Sequence, residues 1–74
     1  MEYVIVRYPD GRAVFVDGKR VGRTNRTLEL ETGHHRFTLG EPEDYTPGQR
    51  EVAVTGTDPI LPMELVFRPK SPKS

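Results

Sequence analysis

The chain of 74 residues contains no cysteine and no tryptophan. Without cysteine it has neither a disulfide framework nor a thiolate metal site, the two staples that most often rescue a small domain. Eleven Lys+Arg balance eleven Asp+Glu, so no net charge of either sign exists and the chain is not built as a generic polyanion binder. Aromatics make up 8% of the residues, and most are needed in the core, which argues against recognition of single strands by base stacking. No apolar run approaches the ~20 residues of a membrane span, and Met1 to Arg7 lacks the basic start and small-residue cleavage site of an export signal. The sequence therefore reads as soluble, without membrane insertion, and cytoplasmic by default. A single core of this size supplies only roughly 3 to 5 kcal/mol of net stability. Association with a protein partner, or a weak homodimer, is the expected remedy.

What is present is punctuation. Seven glycines and seven prolines divide the chain into short alternating runs, none with a sustained helical period. The sharpest local instruction is Val14-Phe15-Val16-Asp17-Gly18-Lys19-Arg20-Val21-Gly22, a β-hairpin. Asp-Gly between apolar residues suits a two-residue type I′ turn, in which both central residues need φ > 0. Around it, alternation predicts strands over 2–8, 27–31, 34–39, 50–55 and 61–67. Val4 and Val6, Leu28 and Leu30, His35, Phe37 and Leu39, Val52 and Val54, and Met63, Leu65 and Phe67 point inward. Thr32-Gly33 is expected to close a second hairpin, and residues 40–48 to form the longest loop, with Tyr45 folded back onto the core. The prediction is an all-β fold, a small antiparallel β-sandwich of about six to seven short strands, in one domain over residues 1–67. Residues 68–74, Arg-Pro-Lys-Ser-Pro-Lys-Ser, offer nothing apolar to bury and read as a disordered basic tail.

The ordered turn and apolar signals from Pro9 to Phe67 resemble the PEGA domain. The naming motif is similar to Pro9-Asp10-Gly11-Arg12 followed by Val14-Phe15-Val16-Asp17-Gly18. Lys19 and Gly22 continue it, Thr24 stands at its Thr-Pro, Leu28 and Leu30 at its apolar pair, Gly33 and His35 at its Gly-x-His, and Tyr45 at its Gly-Tyr. The chain departs from the pattern at Arg12 for Ala, Asn25 for Pro and Asp44 for Gly. The resemblance implies a small β-sandwich module of prokaryotic, often envelope-associated or secreted, proteins. It implies no general catalytic residues and no cofactor.

The residues themselves point the same way. His34 and His35 are neighbours on a strand and face opposite sides, so they cannot chelate one metal, and His35 is expected under a turn with its ring nitrogens hydrogen-bonded. Glu29 and Glu31 share a solvated face rather than a pocket. Glu41, Glu43 and Asp44 lack the regular oxygen spacing of a calcium loop. Asn25-Arg26-Thr27 matches a glycosylation sequon by chance. Nothing here supplies the matched acid, base or nucleophile of an enzyme. The candidate interaction residues are instead the cations Lys19, Arg20, Arg23 and Arg26, bunched in one hairpin and its following turn, and the aromatics Tyr3 and Phe15. Protein is the leading partner, met through an edge strand or a surface face, with the first strand, Tyr3 to Tyr8, and the last, Leu61 to Phe67, as the expected edges. Carbohydrate or cell-wall binding, for which Phe15 and Tyr3 are the candidate aromatics, and nucleic-acid binding by the four cations are the alternatives.

Overall fold

The computed structural model of the chain describes residues 1–70. Its strands are β1 (Glu2–Arg7), β2 (Ala13–Val16), β3 (Lys19–Arg23), β4 (Thr27–Leu30), β5 (Gly33–Thr38), β6 (Tyr45–Thr46), β7 (Arg50–Val54), β8 (Met63–Val66) and β9 (Arg68–Pro69). They form a three-stranded sheet in the order β4-β1-β8, a four-stranded sheet in the order β3-β2-β5-β7, and the small pair β6-β9. The fold is a small all-β domain, as the alternation predicts. Val4, Val6, Leu28, Leu30 and Leu65 from the first sheet share one core with Val14, Val16, Phe37 and Val54 from the second. Each of these is an every-other-residue position on its strand, so period two alone sorts the core from the surface.

The central hairpin has the predicted turn: Asp17 has φ 53° and Gly18 φ 87°. Gly22 is paired with Val14 and faces inward, and a Cβ there would come within 2.4 Å of the buried Leu28 side chain. That glycine lets β4 close over the hairpin.

Neighbour relations differ from the expectation at several points. β1 is not an edge, because β4 pairs with it antiparallel on one side and β8 on the other. The β1–β8 pair is parallel, since the chain leaves β7 in the opposite sheet and enters β8 at the same end at which β1 begins. Thr32-Gly33 closes no hairpin: β4 belongs to one sheet and β5 to the other, and Gly33, at φ 144°, opens β5 opposite Val54. The last long strand begins at Met63 rather than Leu61, because Asp58 Oδ1 accepts the N–H groups of Ile60 (2.9 Å) and Leu61 (2.8 Å) and holds them in a turn. Residues 68–70, expected in the tail, are ordered. Arg68–Pro69 pairs with Tyr45–Thr46, and Lys70 N donates to Asp44 O. The remainder of that tail, 71–74, lies outside the described residues.

The loop over residues 40–48 is tied down from three sides. Tyr45 is buried, and its hydroxyl accepts from Leu39 N (3.2 Å) and donates to Gly40 O (2.9 Å). Its ring meets Tyr8 and Phe67 edge to face. Arg12 lies across the Tyr8 and Tyr45 rings, 5.7 and 5.2 Å from their centroids. From there its Nη1 donates to Asp44 (2.6 Å) and its Nη2 to the carbonyls of Leu39, Gly40 and Pro42.

Candidate functional site

The β2–β3 hairpin is fastened to β5 by its own turn residue. Asp17 accepts Arg36 N on Oδ1 (3.0 Å) and the His35 ring Nδ1 on Oδ2 (2.8 Å), while Asp17 N donates to Arg36 O (2.8 Å). His35 Nε2 sits 2.7 Å from Glu31 O. Both ring nitrogens thus face oxygen acceptors, an arrangement that only the doubly protonated ring satisfies. The hydrogen bond to Asp17 and that to the Glu31 carbonyl raise the His35 pKa above its ordinary value, and the same contact with His35 lowers that of Asp17. Locking β3 to β2 and β2 to β5 in this way gives the four-stranded sheet a fixed outer surface.

Register defines that surface. Phe15 is paired with Arg20 on β3 and with Thr38 on β5, Ala13 with Arg23, and Arg36 with Glu51 on β7. Residues two apart share a face, so Arg20, Arg23 and Arg36 lie on one side of the sheet with Phe15 among them. The pairing shifts between Val14 and Phe15, so that Val21 is the extra residue of a β-bulge. The bulge brings Arg20 onto the Phe15 face, where an uninterrupted register would place Val21. Arg20, Arg23 and Arg36 are all exposed, and among the described residues none of their guanidinium groups lies within 4.0 Å of a carboxylate oxygen, although Glu51 stands opposite Arg36 on the same face. Phe15 is half-buried, its ring held over Gly40 so closely that a Cβ on that glycine would lie 2.7 Å from it.

The six residues singled out in the sequence separate accordingly. Arg20, Arg23 and Phe15 share the outer face. Lys19 is paired with Val16, whose side chain points to the opposite side of the sheet, and Arg26 lies in the turn that carries the chain from one sheet to the other. Tyr3 is on β1, opposite Glu29, on the outer face of the other sheet. Tyr3 and Phe15 therefore belong to different surfaces and cannot form one aromatic platform. Arg36 is the residue that sequence reasoning missed. Its outward alternation with His34 and Thr38 was the available signal, but only the β2–β5 pairing puts it on the same sheet face as Arg20.

Glu2 and Asp44 are held elsewhere by hydrogen bonds. Glu2, 8% exposed, accepts the Thr32 hydroxyl (2.5 Å), the Thr57 hydroxyl (2.6 Å) and Thr57 N (3.0 Å). These bonds hold its carboxyl at about 2, well below the usual range. Asp44 is engaged by Arg12. Among the described residues no three His, Asp or Glu side chains converge as a metal site requires, and no helix is long and apolar enough to cross a membrane.

Two small facing sheets around one shared core, with arginines on the outer face of one of them, define the class of a small all-β module. The chain belongs to the PEGA domain family, whose model matches residues 1–70. Membership suggests a non-enzymatic module. No curated protein and no solved structure matches the chain.

Proposed function

We propose that this PEGA domain is a non-catalytic protein-binding module that recognises an acidic segment or surface through the outer face of its four-stranded sheet. The observation that supports this reading is the set Arg20, Arg23 and Arg36 on the face that carries Phe15, three exposed guanidinium groups that pair with no carboxylate among the described residues. Arginine forks match carboxylates in geometry, and a half-buried aromatic among them adds apolar contact at little entropic cost. Protein is favoured over nucleic acid because the face carries one aromatic ring, itself packed against Gly40, and the chain as a whole has no net positive charge.

The test is a titration of isotope-labelled protein with three probes: an Asp/Glu-rich peptide, a single-stranded oligonucleotide and cell-wall glycan fragments. The peptide should shift the amide signals of Arg20, Arg23 and Arg36, and the double variant Arg20→Glu/Arg23→Glu should abolish the shifts while keeping the spectrum of a folded sheet. Shifts with the oligonucleotide alone, falling steeply with salt, would transfer the face to nucleic-acid binding. Silence of this face toward the acidic peptide would end the proposal.

A further inference from the structure

The two ends of β1 are unlike in a way that the arginine face does not explain. Because β8 runs parallel to β1, the chain entering β8 lies at the Glu2 end and the chain leaving it lies at the Arg7 end. At the Glu2 end Ile60 and Leu61 are 87% and 74% exposed, the two most exposed large hydrophobic side chains among the described residues. They are not on a slack loop. Asp58 accepts both of their N–H groups, Pro59 and Pro62 bracket them, and the preceding Thr57 is hydrogen-bonded to Glu2 and to Tyr3 N. The turn thus presents two aliphatic side chains to water in an already ordered conformation, which lowers the entropy lost when they are buried against a partner.

At the Arg7 end is a groove of about 290 Å³, bordered by Tyr8, Pro9, Val66, Phe67 and Pro69 together with Arg7 and Arg68. Asn25 also borders it, but both ends of its side-chain amide are bonded to the Tyr8 backbone. The surface offered is therefore apolar and small, just under the ~300 to 1,000 Å³ of pockets that enclose a drug-sized molecule. It suits a pair of aliphatic side chains. One pair of charges is opposite in sign: Asp58 stands at the start of the apolar turn, and Arg68 borders the groove, while Arg7 is paired with Glu64.

We propose that the Ile60–Leu61 turn of one copy seats in the Tyr8/Pro9/Val66/Phe67/Pro69 groove of a second copy. The occupant is this chain because both halves of the contact are present on it, alike in apolar character and opposite in flanking charge. They lie at opposite ends of β1, so one molecule cannot satisfy itself. Such a contact is heterologous: each copy keeps one unused end, and assembly extends head to tail rather than stopping at a two-fold dimer. A small domain with a thin core and no disulfide gains burial at both ends by it.

Sedimentation of the full chain over a concentration series decides the matter. The average mass should rise continuously into the millimolar range without a plateau at the dimer. Leu61→Asp removes the turn's apolar surface, and Val66→Lys places a charge in the groove; both positions are solvent-accessible, so the folded spectrum should persist, and each variant alone should be monomeric. Mixed together they should form a 1:1 complex that grows no further, because one retains the groove and the other the turn. A wild-type chain that stays monomeric at millimolar concentration overturns the inference. So does a mixture of the two variants that stays monomeric while the wild type associates. Arg20→Glu/Arg23→Glu should leave self-association unchanged, which keeps this contact distinct from the arginine face.

Discussion

Arg12 Nη1 and Asp44 Oδ1 are 2.6 Å apart, joining two positions separated by 32 residues at which this chain departs from the family motif. Where the motif has Ala and Gly, the chain has an ion pair. The third departure is engaged as well: Asn25, at φ 64°, uses its side-chain amide to bond both the N–H and the C=O of Tyr8, and its own N–H donates to Val6 O. It takes over the role of a strand partner just where β1 ends.

The Arg12 contacts lead to the first prediction. The Arg12 side chain is 15% exposed and that of Asp44 62%, so the guanidinium is the buried partner and does more than pair with one carboxylate. Replacing Arg12 with Ala takes a donor from the Leu39 and Pro42 carbonyls, leaves Gly40 O to the Tyr45 hydroxyl alone, and removes the cation from two rings. Stability should fall by about 1 to 3 kcal/mol. Asp44→Ala should cost less than Arg12→Ala in the same denaturant titration, since the exposed carboxylate is replaced by water. Equal losses would mean that the ion pair, not the carbonyl and ring contacts, holds the loop.

The turn of the central hairpin provides a backbone test free of steric complication. An added Cβ at Gly18 meets nothing within 4 Å, yet the residue has φ 87°. Gly18→Val should therefore destabilise by about 1 to 3 kcal/mol through conformation alone, and Gly18→Asn by less, because Asn tolerates positive φ. Thermal melting of both variants measures the order. A valine variant as stable as the wild type would refute the type I′ assignment.

Protonation of His35 should report its contact with Asp17. In the folded protein its pKa is raised, so the contact's contribution is fully present below the unfolded value and is lost as pH rises through the raised one. For Asp17, lowered by the same contact, the contribution is present above its ordinary value and is lost as pH falls through the lowered one. Proton NMR of the His35 ring should give a midpoint above 6.5 in the wild type and a lower one in Asp17→Asn. An unmoved midpoint would show that the Glu31 carbonyl alone sets it.

Glu2 governs part of the acid limb. Its carboxyl titrates near 2 when folded against 4.5 when free, so its contribution to stability is present above about 4.5 and disappears as pH falls through about 2. The wild-type melting temperature should drop across that window. Glu2→Gln starts lower and should drop less. Parallel curves for the two proteins would place the acid sensitivity with Asp17 and Asp44 instead.

The sequence by itself determined the local geometry. Asp17-Gly18 dictates its turn because positive φ at two successive residues admits few side chains, and this is settled within four residues. Alternation sorted Val4 and Val6, Leu28 and Leu30, Phe37 and Leu39 into the core for the same kind of reason: a strand's two faces are fixed by its own pleat. His35 was legible as a hydrogen-bonded histidine beneath a turn, and Arg20 and Arg23 as exposed cations. Tertiary structure decided everything that depends on which strand lies beside which. β1 became central and β8 its parallel neighbour because two thin sheets must each cover the other's apolar face, and alternation is blind to the order and direction in which strands do so. That choice of neighbours brought Arg36 to Arg20 and Arg23, separated Tyr3 from Phe15, and joined Arg12 to Asp44. It also set the Ile60–Leu61 turn at the Glu2 end of β1 and the Phe67 groove at the Arg7 end, since β8 runs parallel to β1 and an antiparallel β8 would exchange the two.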